Sequence, residues 1–304
     1  MRNFITPRFS RRTLRSVLAS ASVLALFALS SSAPSAAPAT TQVDLKLVLA
    51  TDVSGSINDE EAELQRLGTA EAFMDPEVIK SIQNGALGRI AVAMLDFSSP
   101  EYDKVIIDWH IIKDKASANA FAELVRGSPR SPGRRTSVSS ALELGSTLIE
   151  SSAADIVATR RVIDVSGDGP NNDGNPMREV HDRVIGQGII VNGLPVMDDN
   201  ANGYYPGLDK YYAACVAGGR GSFVVVVHSF KDFGAAMRHK LILEVSGIDP
   251  ATKFAKTVPP KNPLLTKVAA SDGPPAQPQV LRPGQNEFSD HCDIAGGFGG
   301  FNRF

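Results

Sequence analysis

The segment 52–56 (Asp-Val-Ser-Gly-Ser) places a carboxylate and two hydroxyls at alternate positions of the chain. It follows the apolar run 43–50, which predicts a buried strand. Alternate residues after a strand can converge on one point, and three hard oxygen ligands suit Mg²⁺ or Ca²⁺. Folds built on α/β sheets bind their ligands at the C-terminal edge of the strands. The spacing therefore indicates Asp52, Ser54 and Ser56 as candidate metal ligands.

Two later loops offer the other side chains that such a site needs. Thr136 stands immediately before a predicted helix, and Asp168 is followed by a glycine after a predicted strand. Together, the three loops resemble the metal-ion-dependent adhesion site of von Willebrand factor A (VWA) domains. The resemblance implies a bound Mg²⁺, with Mn²⁺ or Ca²⁺ as alternatives; hydroxyl groups would contact the ion and the carboxylates would mostly hold waters. The implied site comprises Asp52, Ser54, Ser56, Thr136 and Asp168.

Further segments of the chain resemble one bacterial VWA-like family, DUF1194, which has no established activity. The similarity covers roughly residues 43–245 and adds to 52–56 the segments 75–79, 161–172 and 192–195. It implies the fold and a candidate metal site, and it leaves the biological role open.

One departure from the related sequences lies in the second loop. Arg134 and Arg135 stand before Thr136, where related sequences tend to have glycines. The two arginines would repel a cation if they pointed towards it. They would pair with an acidic group of a partner if they pointed outwards.

The elements that must position these loops lie within residues 41–246, where strand and helix patterns alternate. Strands are predicted at 43–50, 89–97, 104–112, 160–165, 189–196 and 223–227. Helices are predicted at 59–73, 76–82, 116–125, 137–149, 177–185, 208–216 and 230–243. This alternation predicts a doubly wound, mostly parallel central sheet with helices on both faces. The resemblance implies that this sheet is of the Rossmann-like VWA type. The short connection after the second strand predicts a hairpin, and hence one antiparallel edge strand, as in VWA domains.

Residues 1–39 are expected to be a signal peptide outside the fold. A start with five arginines precedes the apolar stretch 17–29, and Ala-Pro-Ala at 37–39 is a plausible cleavage site. The segment 10–15 also resembles the twin-arginine export signal, so this route and the general secretory route both stay open. The protein is predicted to be exported, either to the periplasm or out of the cell. No later segment has about 20 consecutive apolar residues, so no membrane span is expected in the mature chain.

The charge of the mature chain narrows the classes of partner. Without the signal peptide the chain has 26 basic and 33 acidic residues, a net charge of −7. An acidic exported protein is a poor candidate for binding nucleic acid and a reasonable one for capturing divalent cations.

The chain changes character after the domain. Residues 247–304 hold eight of the nineteen prolines and end in a segment rich in Gly and Phe, which predicts a disordered or surface-wrapping tail. The two cysteines, Cys215 and Cys292, could pair in an oxidising compartment and tie this tail to the domain. Alternatively, Cys215 is simply a small buried residue and Cys292 is free or paired elsewhere.

A second candidate metal site lies at 198–209, which fits D-x-N-x-N-G with an acid at position 12, the spacing of a calcium-binding loop. Its oxygen donors would come from Asp198, Asn200, Asn202, Tyr204 and Asp209. Aspartate at position 12 reaches less far than the usual glutamate and would weaken binding. An ordinary loop rich in Asn and Gly is the preferred interpretation.

The sequence favours an exported, non-enzymatic binding module whose metal ion engages a carboxylate of a protein partner. A metal-dependent hydrolase is the alternative from a different class, since the same ion could activate water. It would need a general base near the ion, and Asp164 and His228 are the candidates. A third interpretation is a metal-free structural protein of the envelope. Nucleotide binding is disfavoured because 167–172 lacks the third glycine of a phosphate-binding loop and adds a carboxylate.

Overall fold

A computed structural model describes residues 40–198, 205–247, 279–284, 288–289 and 291–293. The signal peptide expected at 1–39 lies outside the described residues. Among the residues that are described, no helix is both long enough and apolar enough to span a membrane.

The described residues contain a seven-stranded mixed sheet in the order β3-β2-β1-β4-β5-β6-β7. Its strands are β1 (Thr41–Asp52), β2 (Ile90–Phe97), β3 (Lys104–Ile112), β4 (Ile156–Gly167), β5 (Ile190–Pro195), β6 (Val224–Val226) and β7 (Gln279–Leu281). β1, β2, β4, β5 and β6 run parallel, and β3 pairs antiparallel with β2 at one edge. The predicted mostly parallel sheet and its antiparallel edge strand are confirmed. At the other edge β7 adds a second antiparallel strand, which the sequence did not predict.

Helices cover both faces of this sheet, as the doubly wound pattern predicts. They are α1 (Asp59–Met74), α2 (Pro76–Gln83), α3 (Lys115–Gly127), α4 (Val138–Ser151), α5 (Met177–Gly186), α6 (Leu208–Tyr211) and α7 (Phe233–Ser246). Short 3₁₀ turns occur at Pro100–Tyr102 and Phe230–Asp232, and a π-helical turn follows α6 at Tyr212–Val216. Helices α1, α2, α3 and α7 enclose one hydrophobic core, and α4, α5, α6 and the π-helical turn enclose the other.

The central strand β1 faces both cores at once. Leu45, Leu47 and Leu49 pack into the core beneath α1 and α7, while Val48 and Ala50 pack into the core beneath α4. Neighbouring strands pair with β1 on both sides, so its near-continuous apolar run is what a covered parallel strand requires. The first carboxylate of the candidate site appears only where this strand ends.

Helix α1 begins immediately after the 52–56 loop. The Asn58 side chain accepts a hydrogen bond from Glu61 N at 3.0 Å, and the Glu61 carboxylate accepts one from Asn58 N at 2.8 Å. This reciprocal cap satisfies two backbone amides at the start of the helix. The loop is therefore held between a buried strand and a capped helix, which fixes both of its ends.

Parts of the segment expected to be a disordered or surface-wrapping tail belong to the fold. Gln279–Leu281 forms β7 on the edge of the sheet, and Phe288 is buried in the core beneath α5 and α6. Cys292 forms a disulfide with Cys215, with the two Cα atoms 5.4 Å apart. Of the alternatives for the cysteines, the structure has the paired one. The packed part of the chain therefore extends beyond the boundary expected at residue 246.

Candidate metal centre

The candidate site lies where the order of strands along the sheet reverses direction. Starting from β1, the chain first adds β2 and β3 on one side and then β4, β5 and β6 on the other. A crevice opens outside the carboxyl ends of the strands at such a point, and ligands bind there. Asp52 is the last residue of β1, and Asp168 is the first residue after its neighbour β4. Adjacent parallel strands thus deliver two carboxylates to the same edge.

Hydrogen bonds join the first and third loops. Ser54 N donates to Asp52 Oδ1 at 2.7 Å, and the hydroxyls of Ser54 and Ser56 are 3.1 Å apart. The Ser56 hydroxyl donates to Asp168 Oδ1 at 2.7 Å. These four residues therefore form one connected polar cluster, although more than a hundred residues separate its two ends in the sequence.

Thr136 joins this cluster from the second loop. It is buried, and an ideal Cβ placed on Gly169 would lie 3.5 Å from the Thr136 hydroxyl, so the second and third loops lie side by side. Thr136 N donates to Asn172 Oδ1 at 2.9 Å, and Asn172 N donates to Thr136 O at 2.8 Å. The structure thus brings Thr136 to the same edge as the two carboxylates.

An asparagine pair that sequence analysis gave no individual role holds these two loops together. In addition to the bonds of Asn172, the Asn171 side chain accepts a hydrogen bond from Ser139 N at 2.9 Å. Both asparagines follow directly after Asp168-Gly169-Pro170. The sequence did offer a signal for this role. Two consecutive asparagines, each with a donor and an acceptor group, follow the candidate ligand Asp168.

Burial and mutual repulsion determine the electrostatics of the two carboxylates. Burial and then the neighbouring Asp168 charge raise the pKa of Asp52 well above its usual range. Burial raises the pKa of Asp168 to about 6, and the hydrogen bond from Ser56 opposes this rise. Asp52 Oδ2 and Asp168 Oδ2 are buried and have no hydrogen-bond partner among the residues that the structure describes. Two acidic oxygens buried in one cluster would be stabilised by a cation.

The donor set fits a hard divalent cation. It offers hydroxyl and carboxylate oxygens, the ligand types that Mg²⁺, Mn²⁺ and Ca²⁺ prefer. In the described part of the chain there is no group of three or more His, Cys, Asp or Glu side chains that could hold a metal ion. A metal site at this edge must therefore use the hydroxyls of Ser54, Ser56 and Thr136 together with its carboxylates.

Tyr212 supplies a further buried hydroxyl behind the carboxylates. An ideal Cβ on Gly167 would lie 2.7 Å from Asp52 Oδ2 and 3.0 Å from the Tyr212 hydroxyl. Only glycine leaves room for both groups at this position. Burial, followed by the charges of Asp52 and Asp168, raises the pKa of Tyr212 well above its usual value. The phenol therefore keeps its proton at neutral pH and can donate a hydrogen bond towards the acids or a water between them.

The arginines that depart from the family pattern lie at the rim of the site. Both Arg134 and Arg135 are exposed, as the outward orientation requires. An ideal Cβ on Gly55 would lie 3.4 Å from Arg134 O, which places this rim directly against the first loop. The Arg135 guanidinium donates to Asn172 O at 3.2 Å.

The two residues considered as general bases are poorly placed for that role. Asp164 is buried within β4 and forms an ion pair with Lys240 of α7. His228 is exposed and follows β6, two strands away from β4.

The second candidate site is only partly within the described residues. Asn200, Asn202 and Tyr204 lie outside them, while Asp198 and Asp209 lie within them. The calcium-loop interpretation of 198–209 therefore stays a prediction.

Several solved structures are similar to the chain. Proximal thread matrix protein 1 from the mussel byssus, solved with zinc in its MIDAS motif, is 18% identical with a TM-score of 0.48, covering 68% of this chain and 49% of that one. A von Willebrand factor type A protein from Catenulispora acidiphila is 14% identical with a TM-score of 0.47, and the match covers 67% of this chain and 43% of that one. The vWF domain of the pilus tip protein Mfa5 from Porphyromonas gingivalis is 11% identical with a TM-score of 0.47, and the match covers 69% of this chain and 97% of that one. This chain thus spans less than half the length of the first two proteins.

A comparison with curated proteins found no match. The model of the DUF1194 family, described as a protein family of unknown function, matches residues 42–249. This match covers more than half of the chain and includes all three loops of the candidate site. The chain therefore belongs to the DUF1194 family.

Proposed function

We propose that the domain is an exported, non-enzymatic binding module that uses a divalent cation to engage an acidic group of a protein partner. The observation that carries the proposal is a pair of buried oxygens, Asp52 Oδ2 and Asp168 Oδ2, for which the described part of the chain provides no hydrogen-bond partner. They lie at the carboxyl edge of the sheet together with three hydroxyl side chains. Buried acids of this kind are costly unless a positive charge accompanies them.

The composition of the site favours binding over hydrolysis. Ser54, Ser56 and Thr136 would contact the ion through neutral hydroxyls, and the two aspartates would hold waters. A bound ion with few negative ligands keeps much of its positive charge and attracts a carboxylate from outside. Hydrolysis would also need a free base beside the ion, and the ion pair of Asp164 with Lys240 leaves that acid poorly suited to the role.

The rim of the site supports an acidic partner. Among the described residues Arg134 makes no hydrogen bond and no ion pair, and Arg135 contacts one backbone carbonyl. Two exposed guanidinium groups therefore flank the site on a mature chain whose net charge is −7. Such a local positive edge would attract an acidic segment and help to orient its carboxylate towards the ion.

The disulfide supports the proposed export. Disulfides persist in oxidising compartments and are rare in the cytosol. The bond between Cys215 and Cys292 is therefore in keeping with a signal peptide at 1–39 and with a periplasmic or extracellular location.

Thermal unfolding of the chain from residue 40 onwards, with EDTA or with Mg²⁺, Mn²⁺ or Ca²⁺, tests the proposal. A ligand at about 100 times its dissociation constant adds about 2.7 kcal/mol to the free energy of unfolding. For a domain of this size that corresponds to a rise in Tm of about 5–10 °C. We expect this rise in the wild type and its loss in Ser54→Ala/Ser56→Ala.

The matched control is Thr147→Ala/Ser151→Ala, which removes two exposed hydroxyls that bond only to carbonyls of α4. This variant should keep the full rise in Tm. A rise that is specific to Ca²⁺ and survives the Ser54→Ala/Ser56→Ala change would indicate the 198–209 loop instead. No rise with any of the three ions would favour the metal-free structural interpretation.

A further inference from the structure

We propose that the disulfide-anchored C-terminal strap positions the third metal loop through Tyr211, so that forming the Cys215–Cys292 bond strengthens metal binding. The strap comprises the described residues Phe288, Ser289 and His291–Asp293. The inference builds on the proposed metal site, but its first step concerns the metal-free protein and can be tested there.

One hydroxyl connects the strap to the metal loop. The Tyr211 hydroxyl donates to Cys292 O at 3.0 Å and accepts from Asn171 N at 3.2 Å. Tyr211 is fully buried, and Cys292 is 3% exposed. Water therefore cannot readily replace either partner, so a displaced strap would leave a buried hydroxyl and a buried amide poorly satisfied.

Asn171 passes this constraint to the residues of the site. Its side chain accepts from Ser139 N at 2.9 Å, and the next residue, Asn172, accepts from Thr136 N at 2.9 Å. Asp168 lies only three residues before Asn171 on the same loop. Fixing the Asn171 backbone therefore fixes the spacing between the second and third metal loops, and partners of this kind tune metal affinity.

Contacts around the disulfide seat the strap beside α5 and α6. The Phe288 ring packs edge-on against Tyr211, with ring centroids 6.2 Å apart. Met177 N, at the start of α5, donates to the Asp293 carboxylate, and the Arg178 guanidinium donates to Ser289 O. Pro176 provides no side-chain cap for α5, so the strap satisfies an amide that this helix leaves open.

The disulfide is the one covalent link that keeps these contacts in place. Cys215 and Cys292 are separated by 77 residues in the sequence. A dithiol reductant would transfer two electrons and two protons to the bond and leave two thiols, while the reductant itself becomes a disulfide. The strap would then be held by non-covalent contacts alone, and the entropy of releasing a long segment would favour its opening. Metal binding would accordingly be strongest after oxidation in the exported state.

A double-mutant cycle on the chain from residue 40 onwards tests this inference. It compares the wild type, Tyr211→Phe, Cys215→Ser/Cys292→Ser and the triple variant, with Tyr205→Phe as matched control. Tyr205 also packs against Phe288, with ring centroids 6.4 Å apart, but its hydroxyl has no described hydrogen bond to the metal loop. The measurements are hydrogen exchange of the Asn171 amide without metal and the dissociation constant for Mn²⁺.

Both Tyr211→Phe and removal of the disulfide should speed exchange at Asn171 and weaken Mn²⁺ binding, each by about fivefold, the effect of losing one hydrogen bond. In the disulfide-free background, Tyr211→Phe should add little, because the two changes break the same path. Tyr205→Phe should behave as the wild type. Reduction of the wild type with a dithiol should reproduce the exchange seen in the double-serine variant.

Three outcomes would overturn the inference. Removal of the disulfide could lower Tm while leaving Asn171 exchange unchanged, which would make the strap a general stabiliser. The effects of Tyr211→Phe and of disulfide removal could simply add, which would mean separate paths. Tyr205→Phe could match Tyr211→Phe, which would indicate a general effect on packing. If the wild type binds no metal, the proposed function fails, whereas Asn171 exchange still decides whether the strap positions the loop.

Discussion

Strand β4 carries two buried carboxylates with opposite surroundings. Asp164, inside the strand, is paired with Lys240, whose ammonium group also lies 2.7 Å from Glu244 Oε1. Asp168, just beyond the strand, faces a second buried acid, Asp52, and no basic side chain is hydrogen-bonded or ion-paired to either of them among the described residues. The first cluster supplies its own cation, whereas the second lacks one.

The comparison separates a buried charge that the fold already pairs from one that a cation would pair under the proposed function. The Asp164 cluster also includes Asn192, whose side-chain amide donates to Glu244 Oε1 at 2.7 Å. This cluster joins β4, β5 and α7, and its two carboxylates share the ammonium group of Lys240. The Asp52–Asp168 cluster joins β1 and β4 and carries unbalanced negative charge at the open edge. Sites of function often retain such local instability because the ligand removes it.

The largest expected effect on the free energy of unfolding is in the cluster that contains its own cation. Lys240→Met leaves Asp164 and Glu244 buried without their cation, and breaking a buried pair in this way costs about 3–5 kcal/mol. Denaturant unfolding should show this loss equally with EDTA and with Mg²⁺. The control is Arg126→Met, which removes an exposed partner of Glu123 and should change the free energy of unfolding by less than about 0.5 kcal/mol. A loss of similar size in both variants would contradict the assignment of Lys240.

In the Asp52–Asp168 cluster, removing a charge is expected to raise the free energy of unfolding instead of lowering it. Asp52→Asn keeps the shape of the side chain and its acceptor for Ser54 N but removes one of two repelling charges. Without metal, this variant should be more stable than the wild type by about 1 kcal/mol, the size of other stabilising changes at functional sites. With saturating Mg²⁺ it should lose the rise of about 2.7 kcal/mol expected for the wild type. Chemical denaturation with EDTA and with Mg²⁺ measures both effects.

Equal destabilisation of Asp52→Asn in the two conditions would contradict this prediction. It would mean that Asp52 stabilises the fold through its own hydrogen bonds and has no cation to hold.

The smallest effect on stability is expected outside both clusters. Arg134→Ala/Arg135→Ala should change the free energy of unfolding by less than about 0.5 kcal/mol and leave Mn²⁺ affinity near that of the wild type. Binding of an oligoglutamate peptide in the presence of Mg²⁺ should weaken and become less sensitive to salt, because the rim charges act on the partner. Surface plasmon resonance at two ionic strengths measures the affinity for the peptide and its dependence on salt. Unchanged peptide binding in this variant would remove the rim from the proposed interface.

The sequence predicted what depends on local patterns. β1 follows from its apolar run, and the cap of α1 follows from Asn58 and the acids after it. Three loops at strand ends or helix starts were enough to bring together the five site residues, because parallel strands deliver their carboxyl ends to one edge. No comparable local pattern in the sequence specifies which metal or which partner would bind.

What the sequence missed depends on partners that are distant along the chain. β4 begins at Ile156, earlier than its predicted start, and its Arg160 is anchored by the carbonyls of Glu244 and Val245. The contacts of Tyr211 and Tyr212 form only when α6 and its π-helical turn pack behind the loops of the candidate site. The composition of the tail predicted a disordered or surface-wrapping segment, but it could not predict the edge strand and the disulfide that anchor parts of it to the domain.

Electron paramagnetic resonance of Mn²⁺ added to metal-free protein tests the central claim most directly. The spectrum of free Mn²⁺ should disappear up to one equivalent in the wild type and in Thr147→Ala/Ser151→Ala, and it should persist in Ser54→Ala/Ser56→Ala. That result would show a single site built on the hydroxyls beside Asp52 and Asp168. Free Mn²⁺ throughout the titration of the wild type, or equal capture by the Ser54→Ala/Ser56→Ala variant, would contradict the account.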